Sequence, residues 1–177
     1  MLQLQPVMYK QQYLMFVERC FFECDVFSFC LPVFGKNEFT EYKNKIKPIL
    51  NTFKSNLIYA EQTKCYLDQK TEHINEVYYY NTLGLSCEPF NQLESIYDWR
   101  YPNFPEDICF YKNGECWLQS IAHEHLCFIY DDSKEIKDYI KWLGFQYIKS
   151  RTDKPPKLSI NVRAATSEEN NEIKISP

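Results

Sequence analysis

At 177 residues, with 45% apolar and 25% charged residues, the chain is long enough to bury a sizeable core in one domain. A net charge of −4 with dispersed Lys and Arg speaks against nucleic acid as a partner. With 4 glycines and neither GxGxxG nor GxxxxGK[ST], a glycine-rich phosphate cradle is excluded.

The stretch Met1 to Pro6 has no basic flank and no long apolar run, so no signal peptide is expected. No run approaches the ~18 apolar residues that a membrane helix needs. The expected location is cytoplasmic, with no membrane partner. There Cys20, Cys24, Cys30, Cys65, Cys87, Cys109, Cys116 and Cys127 read as reduced, mostly buried thiols.

In chain order, Tyr9 to Phe22 fits two elements. Tyr13, Phe16, Val17 and Cys20 make a helical stripe, whereas Tyr13 to Val17 is equally rich in strand formers. Asp25 to Leu31 reads as a strand ended by Pro32. Asn37 can cap a helix from Glu38, with Phe39, Tyr42, Ile46, Ile49 and Phe53 on one face. Pro48 predicts a kink or a split in that helix. Leu57 to Leu67 and Glu76 to Thr82 read as strands, with His73 in the polar connection between them. Leu83 to Glu94 is a connection with one helical turn near Phe90 to Leu93.

Asn113-Gly114 is the strongest local signal, because a two-residue type I′ turn needs positive φ at both positions. That turn predicts the pairs Lys112–Glu115, Tyr111–Cys116, Phe110–Trp117 and Cys109–Leu118. Cys109 and Cys116 are then diagonal neighbours with Cα atoms roughly 7–8 Å apart, beyond the usual reach of a disulfide. Leu126 to Tyr130 reads as a third strand. Asp132 and Glu135 suggest a capped helix from Ser133 to Leu143, stopped by Gly144. Phe145 to Lys149 reads as a closing strand. Asp153 to Lys157 reads as a linker, Leu158 to Val162 as a late strand, and Ser167 to Glu172 as a polar, mobile run.

The fold class that follows is α+β: a mainly antiparallel sheet with helices packed on one face. Residues 1–150 form a single domain, and residues 151–177 form a partly mobile C-terminal extension.

The run Y-D-W-x-Y-P-N-F-P-E-D-I-C-F, followed by N-G-E-C-W-L-x-S-I-A-H-E, resembles a family of uncharacterised bacterial proteins. Some of its members are labelled stage III sporulation AH-like. The resemblance is good over residues 95–124 and implies a small cytosolic α+β protein. Some such proteins look like immunity or toxin-neutralising partners.

Two sets of residues carry candidate chemistry. Tyr97, Asp98, Trp99, Arg100, Tyr101 and Phe104 form an aromatic cluster around a charged pair. Exposed, it has the composition of an interface hot spot; buried, it is a loop plug. Glu106, Asp107, His123 and Glu124 form the candidate acid–base set. The structural alternative is that Glu106 and Asp107 cap loop N–H groups while His123, held by a fixed partner, shapes the link to the next strand. Cys109 or Cys116 with His123 is a further thiol–imidazole pair. His123, His125 and Cys127 alternate and would share one face of a strand, but the usual structural zinc spacings are missing. No metal site and no cofactor is assigned. The preferred function is non-enzymatic binding of another protein, a toxin or effector, in the manner of an immunity protein or inhibitor. The alternative is a small enzyme using Glu106, Asp107, His123 and Glu124.

Overall fold

The computed structural model describes residues 1–5, 9–66, 69–85, 87–150, 154–158, 162 and 174–175. Its strands are β1 (Leu2–Leu4), β2 (Val26–Val33), β3 (Leu57–Tyr66), β4 (Gln69–Asn81), β5 (Glu106–Lys112), β6 (Glu115–Ile121), β7 (Leu126–Ile129), β8 (Tyr147–Lys149) and β9 (Lys174–Ile175). Among the described residues they form one sheet in the order β8-β1-β7-β6-β5-β2-β4-β3-β9. Neighbours are antiparallel except β3 and β9, which run parallel. Among the described elements, the helices α1 (Lys10–Glu23), α2 (Lys36–Phe53) and α3 (Lys134–Trp142) accompany the sheet. None of the described helices is long and apolar enough to cross a membrane.

The helices share one face of the sheet, as the α+β reading expects. Tyr13 and Phe16 of α1, Tyr42 and Phe53 of α2, and Ile136 and Ile140 of α3 join Phe27, Phe29, Tyr80 and Phe110 of the sheet in one core. Phe27 packs edge-on against Phe53 at 5.2 Å and stacks on Tyr80 at 5.0 Å. The ambiguity over residues 9–22 resolves to a helix for a reason of burial. Tyr13, Phe16, Val17 and Cys20 are all buried on one side of α1, whereas a strand would send Phe16 and Val17 to opposite faces.

Prolines interrupt less than expected. β2 runs through Pro32 to Val33, because pairing with β5 stops at Cys30 opposite Glu106. Pro32 then faces only Asn75 of β4, and its missing N–H has no second strand to serve. α2 begins at Lys36 after Gly35 and continues past Pro48 as one helix. The cap of α3 is Ser133, whose hydroxyl accepts from Ile136 N–H at 3.3 Å, rather than Asp132. β4 begins at Gln69, so His73 belongs to a strand and not to a connection. Leu67 and the run Ser167 to Glu172 lie outside the described residues.

The β5–β6 hairpin departs from its expected register. Asn113 and Gly114 have φ of 53° and 76°, as a type I′ turn requires. Lys112 pairs with Glu115 and Tyr111 with Cys116, as predicted. Phe110 then pairs with Leu118 and Cys109 with Gln119, so the predicted Phe110–Trp117 and Cys109–Leu118 pairs do not form. Trp117 is the extra residue of a β-bulge. The bulge lets consecutive Trp117 and Leu118 both enter the helix-side core, which strict alternation forbids.

The opposite face of the sheet carries a second apolar cluster. Val26, Val77, Tyr79, Cys109, Tyr111 and Cys116 lie beneath Leu158 and Val162. Pro156, within the expected linker, and Leu158, at the start of the expected late strand, are bonded to the hairpin tip. Cys116 N–H donates to the Pro156 carbonyl at 2.8 Å and Leu158 N–H to the Gly114 carbonyl at 3.0 Å.

Candidate metal centre

The aromatic segment 97–104 is a plug in the helix-side core. Trp99 and Tyr97 are buried, Tyr101 and Phe104 are half-buried, and Arg100 is exposed. Trp99 packs against Phe90 at 4.7 Å, and its indole N–H donates to the Tyr13 hydroxyl at 2.9 Å. The Asp98 carboxylate accepts from Glu94 N–H at 3.1 Å. The six residues therefore do not present one common surface. Exposed aromatic area lies elsewhere, at Phe22 of α1 and Trp142 of α3, 81% and 67% exposed. The Arg19 guanidinium sits over the rings of Phe22 and Tyr139.

The plug ends where the acid–base set begins. Tyr42 of α2 donates from its hydroxyl to the Phe104 carbonyl at 2.7 Å, which fixes the loop just before β5. Glu106 opens β5, and its carboxylate accepts from Tyr101 N–H at 3.0 Å. Asp107 has φ of 54°, an uncommon left-handed conformation for a residue with a side chain. Its carboxylate accepts from Ala122 N–H at 3.0 Å, tying the start of β5 to the turn after β6. That turn is a single 3-10 turn over Ala122–Glu124, closed by His125 at φ 54°. The capping role foreseen for the two carboxylates is thus present in both.

The same turn brings His123 to the carboxylates. One candidate ligand atom from each of Glu106, Asp107 and His123 lies within 4.8 Å of the other two. The His123 side chain is 58% exposed, and its Nε2 stands 3.7 Å from the Glu124 carboxylate. Among the described residues, His123 therefore has no buried, fixed partner of the kind expected for a structural imidazole. His123, His125 and Cys127 do not form the alternating strand face considered from spacing, because His123 is in the 3-10 turn and Cys127 is buried while both histidines are exposed. Cys109 and Cys116 are buried on β5 and β6, and His123 lies in the exposed turn beyond β6, so no thiol–imidazole pair is evident.

Burial pushes the Asp107 carboxyl up to about 6. The bond from Ala122 N–H opposes that rise, the neighbouring Glu106 and Glu124 charges add to it, and His123 opposes it. A carboxyl poised there changes charge near neutral pH, and a cation beside it would relieve the carboxylate repulsion. Two oxygen donors and one imidazole nitrogen suit Zn²⁺ or Mn²⁺. Donors each about 2.1 Å from one ion lie at most about twice that far apart, a little closer than the 4.8 Å within which these three fall. The backbone N–H groups of Tyr101 and Ala122 already orient the two carboxylates from behind.

Two open cavities lie away from these groups. One, of about 360 Å³, is at the hairpin tip between Lys112, Trp117, Asp131 and Pro155. The other, of about 180 Å³, lies between Gln5, Tyr9 and Gln146. Neither is lined by Glu106, Asp107 or His123.

Comparison with protein-family models, with curated proteins and with solved structures finds no match for this chain. The role of the cluster rests on its own geometry.

Proposed function

We propose that the protein binds a divalent cation between Glu106, Asp107 and His123, and that this site carries its function. The observation behind this reading is the convergence of the three groups within 4.8 Å at the junction of β5 with the turn after β6. The three ligands fall short of a closed four-coordinate site, leaving positions for water or a substrate oxygen, as in catalytic rather than structural metal sites. The Glu124 carboxylate, 3.7 Å from His123 Nε2, would be the neighbouring group available to take up a proton there.

Calorimetric titration of the full chain with Zn²⁺ and with Mn²⁺ tests the proposal. One equivalent is expected to bind, with D107N and H123A each weakening it at least about tenfold. No binding of either metal, or binding that both variants leave unchanged, overturns it.

A metal-free acid–base site is the second reading, favoured by the Asp107 carboxyl at about 6 next to an exposed imidazole. It predicts no calorimetric signal with either metal.

A further inference from the structure

We propose that Cys109 and Cys116 form an oxidisable dithiol that closes to a disulfide across the β5–β6 hairpin, under a cover formed by residues 155–158. Their sulfurs are 3.1 Å apart, closer than two non-bonded sulfur atoms ordinarily approach. Both thiols also reach the Leu118 carbonyl, at 3.0 Å from Cys109 and 3.3 Å from Cys116. One acceptor thus holds both side chains on the same side of the hairpin. A disulfide bond of about 2.05 Å needs roughly 1 Å of further approach. The regular register kept this pair out of reach. The bulge at Trp117 breaks that regular register between the two cysteines, and their sulfurs meet across it.

The pair is closed off from solvent. Cys109 and Cys116 are 0% and 2% exposed, and Leu158 and Val162 lie in the same apolar cluster. The cover is fastened to the strand that carries one of the thiols. Cys116 N–H bonds Pro156, Leu158 N–H bonds Gly114, and Lys157 bridges to Glu115 with side chains 3.6 Å apart. Burial holds the Cys116 thiol well above its ordinary range, which keeps it unreactive while covered. Lifting residues 155–158 breaks two backbone bonds and wets the sulfurs.

The oxidant is a low-molecular-weight disulfide such as oxidised glutathione. The first protein thiolate attacks it, forming a mixed disulfide and releasing one small thiolate. The second attacks the protein sulfur of that mixed disulfide and releases the other. The two thiol protons end on the two small thiols, so two cysteines are oxidised and one small disulfide is reduced.

The test is incubation of the full chain with oxidised glutathione, followed by acid quench, alkylation, intact mass and peptide mapping. The expected product is lighter by two hydrogens, carries a Cys109–Cys116 link and is absent in C109A. L158A is expected to speed its formation about tenfold, because truncating a buried Leu weakens the cover. K157E, on the exposed side chain, places like charges opposite Glu115 and is expected to act in the same direction without disturbing the core. A product carrying only bound glutathione, a link between other cysteines, or no reaction overturns the dithiol. Oxidation at an unchanged rate in both L158A and K157E overturns the cover.

Discussion

The Trp99 indole N–H donates to the Tyr13 hydroxyl at 2.9 Å, with both side chains wholly buried. This single bond joins α1 to the plug segment between the sheet and the helices. Burial raises the Tyr13 hydroxyl far above its usual range, so it remains a neutral donor and acceptor. Y13F removes the acceptor and strands the indole N–H in the core. The expected cost is about 1–3 kcal/mol, read as a lower urea midpoint at unchanged slope. A midpoint equal to that of the parent would show the bond to be dispensable.

Asp107 sets a pH dependence with a definite sign. Its carboxyl is raised in the folded state, so the fold holds that proton more tightly than the unfolded chain does. The stabilisation is complete below the ordinary carboxyl range of about 4 and is lost as pH climbs through about 6. D107N cannot ionise, and its urea midpoint should fall less than that of the parent between those two pH values. Parallel profiles for the two proteins contradict the assignment.

Cation affinity should show the opposite trend. Binding needs the ionised Asp107 carboxylate, which is largely protonated one unit below a value of about 6. Apparent affinity is expected to drop about tenfold between pH 7 and pH 5, from Asp107 alone. The check is titration at both values; a flat profile separates the metal from this carboxylate.

His123 should be dispensable for folding. Its side chain is 58% exposed and lies in a one-turn link, so H123A should change stability by no more than about 0.5 kcal/mol. The same variant should lose the cation. A large drop in melting temperature would instead restore the structural role first inferred from sequence.

At the hairpin tip, Gly114 has φ of 76°. A side chain there costs roughly 1–2 kcal/mol in the left-handed region, and G114A should lower the melting temperature accordingly. Its carbonyl holds Leu158, so the same substitution should also speed thiol oxidation at Cys116.

The sequence announces what is local. The stripe Tyr13, Phe16, Val17 and Cys20, the α3 helix and the Asn113-Gly114 turn each follow from residues a few positions apart, and each is present. The one-sided placement of the helices followed from the same patterns. The bulge at Trp117 was hidden, because it arises from competition between two large side chains for one core and not from any turn signal. The passage of β2 through Pro32 depends on where β5 stops, which local composition does not encode. Of the site, residue types and the capping roles of Glu106 and Asp107 were legible. Their grouping with His123 was expected too, as an acid–base set; the backbone that brings it about, a left-handed Asp107 and a 3-10 turn after β6, was not legible.

β1 lies between β7 and β8, with Leu2 facing both Ile129 and Lys149 across the sheet. Leu2 and Leu4 are 0% and 1% exposed, and the strands that pair with β1 lie more than a hundred positions downstream. A ribosome emits β1 long before either partner exists. For most of synthesis β1 has no strand to pair with, and the β7 edge it will cover has yet to appear. The half of the sheet formed by β8, β1 and β7 can therefore close only late, after the β2–β4 and β5–β6 pairings have had time to form. A nascent chain arrested before residue 126 should keep its first strand open to proteases, and release past residue 149 should protect it.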